Sequence, residues 1–210
     1  LCVLLFVLCS CGGGSGTLIL TNGQPTLASS QTIALPLIGE TDVRTLDPSS
    51  QLDASGRLVM GMFYSGLVRL DKDFHVLPDQ ANWDISNAGT TYTFHIKSGV
   101  TFADGMPVTA QTYIASWTRA LTPHRASSSA NQINYTTPQA YTLALPIVGA
   151  RELHDGTAQT ISGVQAVDDH TLRVTLTQPT PTFLQSLAQP FFFPVNQELV
   201  TGYAQQDWPV

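Results

Sequence analysis

"TYTFHIKSGVTFADGMPVTAQTYIASWTRAL", Thr91 to Leu121, carries three local signals in a row. In its opening residues Tyr92, Phe94 and Ile96 alternate with Thr91, Thr93 and His95, the period-two pattern of a strand with one buried face. Asp104-Gly105 is a tight-turn pair, and Pro107 follows it. Val108 and Thr109 then have the characters of a hydrophobic staple and an N-cap. Tyr113, Ile114, Trp117 and Leu121 recur at helical spacing, so a helix is predicted to run from Thr109 to about Leu121. His95, Lys97 and Asp104 are residue types that an active site uses. His95 and Lys97, however, fall on the face opposite the apolar one, where side chains are usually solvated, and the turn accounts for Asp104. The stretch reads as scaffold.

Working outward, Trp83–Ile85 is expected to pair with the Thr91–Ile96 strand in a hairpin closed by "SNAGT". "GLVRLD" gives a short strand ending in the turn Asp71-Lys72-Asp73. Leu58, Val59, Met62, Phe63 and Leu67 recur at helical spacing. "TLDPSS" is a turn in which Pro48 fixes φ and Asp47 bonds back to the backbone. "TIALPLIGE", Thr32 to Glu40, reads as a buried strand. Downstream, residues 122–137 form a polar loop, and a helical piece from Pro138 is interrupted at Pro146 and ends at Gly156. Leu172, Val174 and Leu176 alternate in a strand after the turn Asp168-Asp169. "TFLQSLAQP" is a short helix, and Phe191 to Val195 a buried extended run.

Composition narrows the function classes. The chain has 210 residues, 43% of them hydrophobic and 11% charged, with a net charge of −6. That length supports one large domain or two small ones. Only two lysines occur, Lys72 and Lys97, so nothing here could neutralise a run of phosphates, and nucleic acid is excluded as a partner. All three cysteines, Cys2, Cys9 and Cys11, lie within the first eleven residues, which rules out a disulfide framework or a cysteine metal site beyond them. There is no P-loop and no GxSxG, and Gly12-Gly13-Gly14 follows no strand. His124, His154 and His170 would have to converge from unrelated segments to hold a metal. No catalytic residue, cofactor or metal is therefore expected.

The N-terminus reads as an address. The apolar run Leu1 to Leu8 is too short to span a bilayer and suits the core of a secretory signal. Leu8-Cys9-Ser10-Cys11 resembles a bacterial lipobox, in which Cys11 would carry the lipid through its sulfur; a plain signal peptide with incidental cysteines is the alternative. No initiator Met and no basic stretch precede the run, as expected if the gene begins upstream. Residues 1–11 are thus expected as signal peptide, 12–31 as a Gly/Ser-rich flexible tether and 32–210 as a partial binding domain.

The order of the pieces completes the reading. "LDP", "FYSGLVRLD", "LPDQANWDIS" and the opening stretch together resemble the family 5 extracellular solute-binding proteins of ABC importers. "GVQAVDDHTLRVTLTQPTPTFLQSLAQPFFFPV" continues the likeness toward the oligopeptide branch, which covers Ile33 to Pro209 in all. The resemblance implies an α/β fold of the class II periplasmic-binding-protein type, here a first lobe with an inserted subdomain at about 57–135, the second lobe lying outside this sequence. It implies a monomer held outside the cytoplasm by a lipid anchor. Its partners would be a peptide ligand, the membrane, and ABC permease and ATPase subunits, with no covalent chemistry. The residues after "LDP" in such proteins run beside the ligand backbone, which points to Leu52, Asp53, Ala54 and Ser55; Ser129 lies where relatives often carry an aromatic. Thr112 stands where relatives usually have an Asp serving the helix cap. Family members are more than twice as long, so these residues alone are expected to bind peptide weakly, with Phe191, Phe192 and Phe193 lacking covering partners. Rival readings are a dipeptide, nickel-chelate or sugar-oligomer binder of the same family, or a sensor or adhesion lipoprotein. An enzyme would need a nucleophile–base pair that no spacing supports.

Overall fold

A computed structural model describes residues 20–21, 24–25, 46–50, 54–122 and 138–203. The chain divides into two units, residues 1–38 and 39–210. In the first, β1 (Leu20–Thr21) pairs antiparallel with β2 (Gln24–Pro25), inside the stretch expected as a tether. The expected strand Thr32–Glu40 lies outside the described residues.

In the second unit a 3-10 turn at Pro48–Ser50 precedes α1 (Ala54–Phe63). The two-stranded ribbon β3 (Val68–Leu70) and β4 (Val76–Pro78) follows. Next come β5 (Ala81–Ser86), β6 (Thr91–Ile96), α2 (Ala110–Leu121), α3 (Pro138–Ala144) and α4 (Ala150–His154). The described chain closes with β7 (Val164–Asp168), β8 (Thr171–Thr175), α5 (Phe183–Leu187) and α6 (Gln197–Tyr203). Four strands form one antiparallel sheet in the order β5-β6-β8-β7.

The sheet follows from the alternation in β6. Tyr92, Phe94 and Ile96 are buried, and Phe94 sits opposite Trp83 on one side and Leu172 on the other. On the far face His95 reaches diagonally to Asp84, Nε2 to Oδ2 3.0 Å, an exposed pair worth well under about 1 kcal/mol. Strand β7, for which the sequence offered no separate reading, completes the sheet as an edge. Because β6 bonds to β8, an inserted subdomain bounded at 57 and 135 would share its sheet with residues 171–175.

Helix α2 begins and ends where its sequence predicts. The Thr109 hydroxyl accepts from the Thr112 N–H at 3.3 Å, and the Thr112 hydroxyl accepts from the Thr109 N–H at 3.1 Å, a reciprocal cap made with threonine in place of an acid. The Ala110 N–H donates to Asp169 O at 2.9 Å, pinning the helix start to the β7–β8 turn. Tyr113, Trp117 and Leu121 are fully buried and belong to the same core as the sheet's apolar face.

Three expectations are corrected. The phenylalanines at 191–193 do have covering partners: the Phe192 ring meets Trp117 edge-on at 5.2 Å, and Phe193 lies so close to Gly66 that a Cβ there would meet its ring at 2.7 Å. The run is also not extended throughout, because Pro190 starts a 3-10 turn over Pro190–Phe192 before the chain straightens at Phe193. In α1 the inward residue is Met60, while Leu58, Met62 and Phe63 of the predicted apolar set face outward and Leu67 is buried beyond the helix end. Helical spacing marks a stripe; what covers it depends on distant chain.

Gly149 has φ +82°, and a Cβ on it would meet Ser162 backbone N at 2.6 Å. Gly149→Ala combines left-handed strain with a clash against backbone, and should lower unfolding free energy by more than about 2 kcal/mol in urea titration.

Candidate functional site

A cleft of about 380 Å³ opens beside the "LDP" turn. Its walls come from the Leu46–Pro48 turn, the end of α1 with Tyr64 and Ser65, Gln80, the turn at residues 101–104, and the segment from Pro194 into α6. The ligand contacts expected from the sequence are not among the described residues lining this cleft. Sequence reasoning placed them at Leu52, Asp53, Ala54 and Ser55; Ala54 and Ser55 open α1, which joins the wall, whereas Leu52, Asp53, Ser129 and the lipobox Cys11 lie outside the described residues. Phe63, Phe102, Asn196 and Leu199 were missed. For Phe63 alone there was a signal, its place in the apolar stripe on α1; nothing in the sequence pointed to the other three.

The "LDP" turn is fixed from several directions. Asp47 Oδ1 accepts from the Ser49 N–H at 3.0 Å and hydroxyl at 2.9 Å, as its place before a proline predicts. Its carboxylate also takes a two-pronged bond from Arg119 of α2, Nη1 to Oδ2 at 3.0 Å and Nη2 to Oδ1 at 2.5 Å. Both side chains are sheltered, 17% exposed for Arg119 and 8% for Asp47, so removing either partner strands a buried charge. The Tyr64 hydroxyl donates to Leu46 O at 3.1 Å. Burial raises the Tyr64 phenol above its ordinary value; the negative charge of Asp47 adds to this, and Arg119 opposes it. The phenol therefore stays protonated and able to donate across the neutral range.

The opposite wall is fastened as firmly. Asn196 Nδ2 donates to Asp104 Oδ2 at 2.6 Å, while its Oδ1 accepts from the Glu198 N–H at 2.9 Å and so caps α6. Asp104 also accepts from the Met106 N–H at 3.0 Å, the turn role expected of it. At the cleft floor the buried Tyr113 hydroxyl donates to Gln80 Oε1 at 2.7 Å, and Gln80 Nε2 donates to the Ser65 hydroxyl at 2.8 Å. Burial, helped by the nearby negative Asp79, pushes the Tyr113 phenol well up.

No nucleophile–base pair is assembled at this cleft among the described residues. Elsewhere, Asp71, Asp73 and His75 bring ligand-type atoms within 4.8 Å of one another, a proximity their spacing had not suggested. The turn explains it. Asp71 Oδ1 accepts from the Asp73 N–H at 2.8 Å and the His75 N–H at 2.9 Å, and the His75 N–H bond holds the Asp71 carboxyl below its usual range. Asp73 pairs with Lys72 at 2.6 Å. These contacts close a turn and carry no metal assignment. No described helix is long and apolar enough to cross a membrane.

The antiparallel sheet, the helix laid on it and the cleft at the "LDP" turn define part of a class II periplasmic-binding-protein-like fold, a binding scaffold. The family described as bacterial extracellular solute-binding proteins, family 5 Middle, matches residues 79–209, and the chain belongs to that family. It is 37% identical over 166 residues to the probable deoxycholate-binding periplasmic protein YgiS of Escherichia coli K12, covering 78% of this chain and 29% of that protein. It is 33% identical over 183 residues to the periplasmic oligopeptide-binding protein OppA of the same organism, covering 86% and 32%. Among solved structures, Listeria monocytogenes OppA bound to peptide matches with TM-score 0.67 at 31% identity, over 77% of this chain and 30% of that one. The chain spans about a third of the length of these relatives.

Two outcomes follow from the site's geometry. Arg119→Met should cost about 3–5 kcal/mol in urea unfolding, and adding Asp47→Asn should recover part of that loss, because the double variant leaves no charge buried alone. The folded chain holds the Tyr64 proton more tightly than the unfolded chain. Its contribution is therefore fully present below the ordinary tyrosine value of 10.0 and is lost as pH rises through the folded value. Stability measured from about pH 8 to about pH 11 should fall, and Tyr64→Phe should flatten part of that fall.

Proposed function

We infer that this chain is the peptide-capturing part of an extracytoplasmic solute-binding protein that serves an ABC importer. The cleft beside the Leu46–Pro48 turn carries the reading: in a chain of this family, the residues that follow this turn are those the resemblance expects to run beside a ligand backbone. The family relationship to oligopeptide-binding OppA supports it. A peptide would be held mainly through its backbone, the mode that tolerates many side chains, with Leu52, Asp53, Ala54 and Ser55 on one side and Ser129 nearby. The loaded protein would then pass its ligand to a permease driven by an ATPase. Residues 1–11 act as the lipoprotein signal, of which Cys11 is kept as the lipid-bearing end, 12–31 as the tether and 32–210 as the partial domain with its subdomain at about 57–135; the protein works as a monomer tethered through Cys11 to the outer face of the cell membrane.

A second reading has one observation behind it, the 37% identity to the probable deoxycholate-binding YgiS: the ligand would be an amphipathic steroid acid.

Calorimetric titration of the protein expressed from its complete reading frame separates the two. Peptides of about three to five residues should bind in the micromolar range or better, and deoxycholate should bind far more weakly. Binding of deoxycholate with no peptide binding would replace the first reading with the second. In cells, Cys11→Ser should abolish labelling by a radioactive fatty acid and move the protein from the membrane to the soluble extracytoplasmic fraction; unchanged labelling would remove the lipid-anchor assignment.

A further inference from the structure

We propose that Met106 is an oxidation-sensitive latch on the start of α6: conversion of its thioether to the sulfoxide releases the Asn196 cap and loosens the helix that begins there. The latch stands on contacts within the chain. Only its consequence for a ligand rests on the peptide-binding reading above.

Two independent observations carry it. The first is where the sulfur sits. Asn196 Nδ2 reaches Met106 Sδ at 3.4 Å while it donates to Asp104 Oδ2 at 2.6 Å. Through Oδ1 the same amide accepts from the Glu198 N–H at 2.9 Å and the Leu199 N–H at 3.4 Å, donors that the first turn of a helix cannot satisfy internally. Asn196 is only 8% exposed, so water is poorly placed to replace its partners. A change at the sulfur thus reaches the helix cap through one shared amide.

The second is how the sulfur is presented. The Met106 backbone is held on both sides, its N–H on Asp104 Oδ1 at 3.0 Å and its carbonyl on the Phe102 N–H at 2.8 Å, so the side chain cannot withdraw with its backbone. Of the chain's three methionines, Met60 is fully buried, whereas Met106 and Met62 are 37% and 53% exposed. Of the two accessible sulfurs, that of Met106 is the one that meets a helix cap.

With hydrogen peroxide as the oxidant, the sulfur lone pair attacks one peroxide oxygen and the O–O bond breaks. The proton of the attacked oxygen leaves with the departing hydroxide as water; sulfur is oxidised by two electrons and the peroxide is reduced. The new oxygen does not fit between sulfur and amide, because a hydrogen bond to it would by itself take up about 2.9 Å. Pointed at Asn196, it pushes the amide away. Pointed outward, it leaves an electron-poor sulfur that accepts weakly. Either epimer breaks the contact.

The test uses the protein from its complete reading frame, treated with hydrogen peroxide and followed by mass spectrometry. Met106 and Met62 should each gain one oxygen and Met60 none. Hydrogen exchange at the Glu198 and Leu199 amides should quicken roughly tenfold, as expected for a lost cap. Affinity for a bound peptide should fall about threefold or more, and methionine sulfoxide reductase should reverse both effects. Met106→Leu, which conserves volume, should abolish both responses and Met62→Leu neither, with thermal unfolding before treatment verifying that each variant is folded. Met106 left unoxidised while Met62 reacts overturns the latch, as does oxidation of Met106 without faster exchange at the two amides. Responses that persist in Met106→Leu, or faster exchange with unchanged peptide affinity, overturn it as well. If no peptide binds but the exchange response appears, the peptide-binding reading falls and the latch on α6 stands.

Discussion

One face of α2 holds distant parts of the chain in place. Within a single turn, the Trp117 indole donates to Phe192 O at 2.9 Å, the Ser116 hydroxyl accepts from the Val195 N–H at 3.0 Å, and Arg119 clasps Asp47. The partners lie 72 to 79 residues away along the chain, and the cost of closing such loops must be met by contacts of this kind. Trp117 contributes most through area: it is fully buried, with Tyr113 and Phe192 edge-on to it at 6.0 and 5.2 Å. Both walls of the cleft hang from this helix, the "LDP" turn through Arg119 and the Pro194–Asn196 segment through Ser116.

That arrangement gives the buried ion pair its meaning. A sheltered Asp–Arg pair is weak evidence for stability, since its attraction is largely offset by desolvation. Its value here is positional. Asp47 has carboxylate oxygens enough to accept from Ser49 and from both guanidinium prongs, and the result is a turn of one defined shape at the mouth of a ligand cleft. The Asp104–Asn196 contact does the same on the other wall, tying a β-turn to the cap of α6. Preformed walls suit a protein that holds ligands without transforming them.

The scaffold was the most legible part, because its signals are local. The Thr109 cap, the Asp104-Gly105 turn and the strand alternation at 92–96 each depend on neighbours within four residues. Even Thr112, a departure from the family's acid, repeats the capping contact, since a hydroxyl can both accept and donate where a carboxylate only accepts. The resemblance named residues 52–55, while the walls of the described cleft comprise the Leu46–Pro48 turn, α1's outer end, the 101–104 turn and α6. No spacing in the sequence could bring Phe63 to Leu199.

The sequence by itself determined β5, β6, α2 and β8, the confinement of cysteine to the first eleven residues, and the family. Those features rest on backbone periodicity, cap geometry and composition, which are properties of short stretches. Only the tertiary structure decided which face of α1 is buried, that Phe192 packs on Trp117 and Phe193 on Gly66, and that Asp47 and Asp104 meet Arg119 and Asn196. These depend on chain separated by dozens of residues, where a helical stripe states only that something apolar lies on one side. Packing alone chooses what that something is.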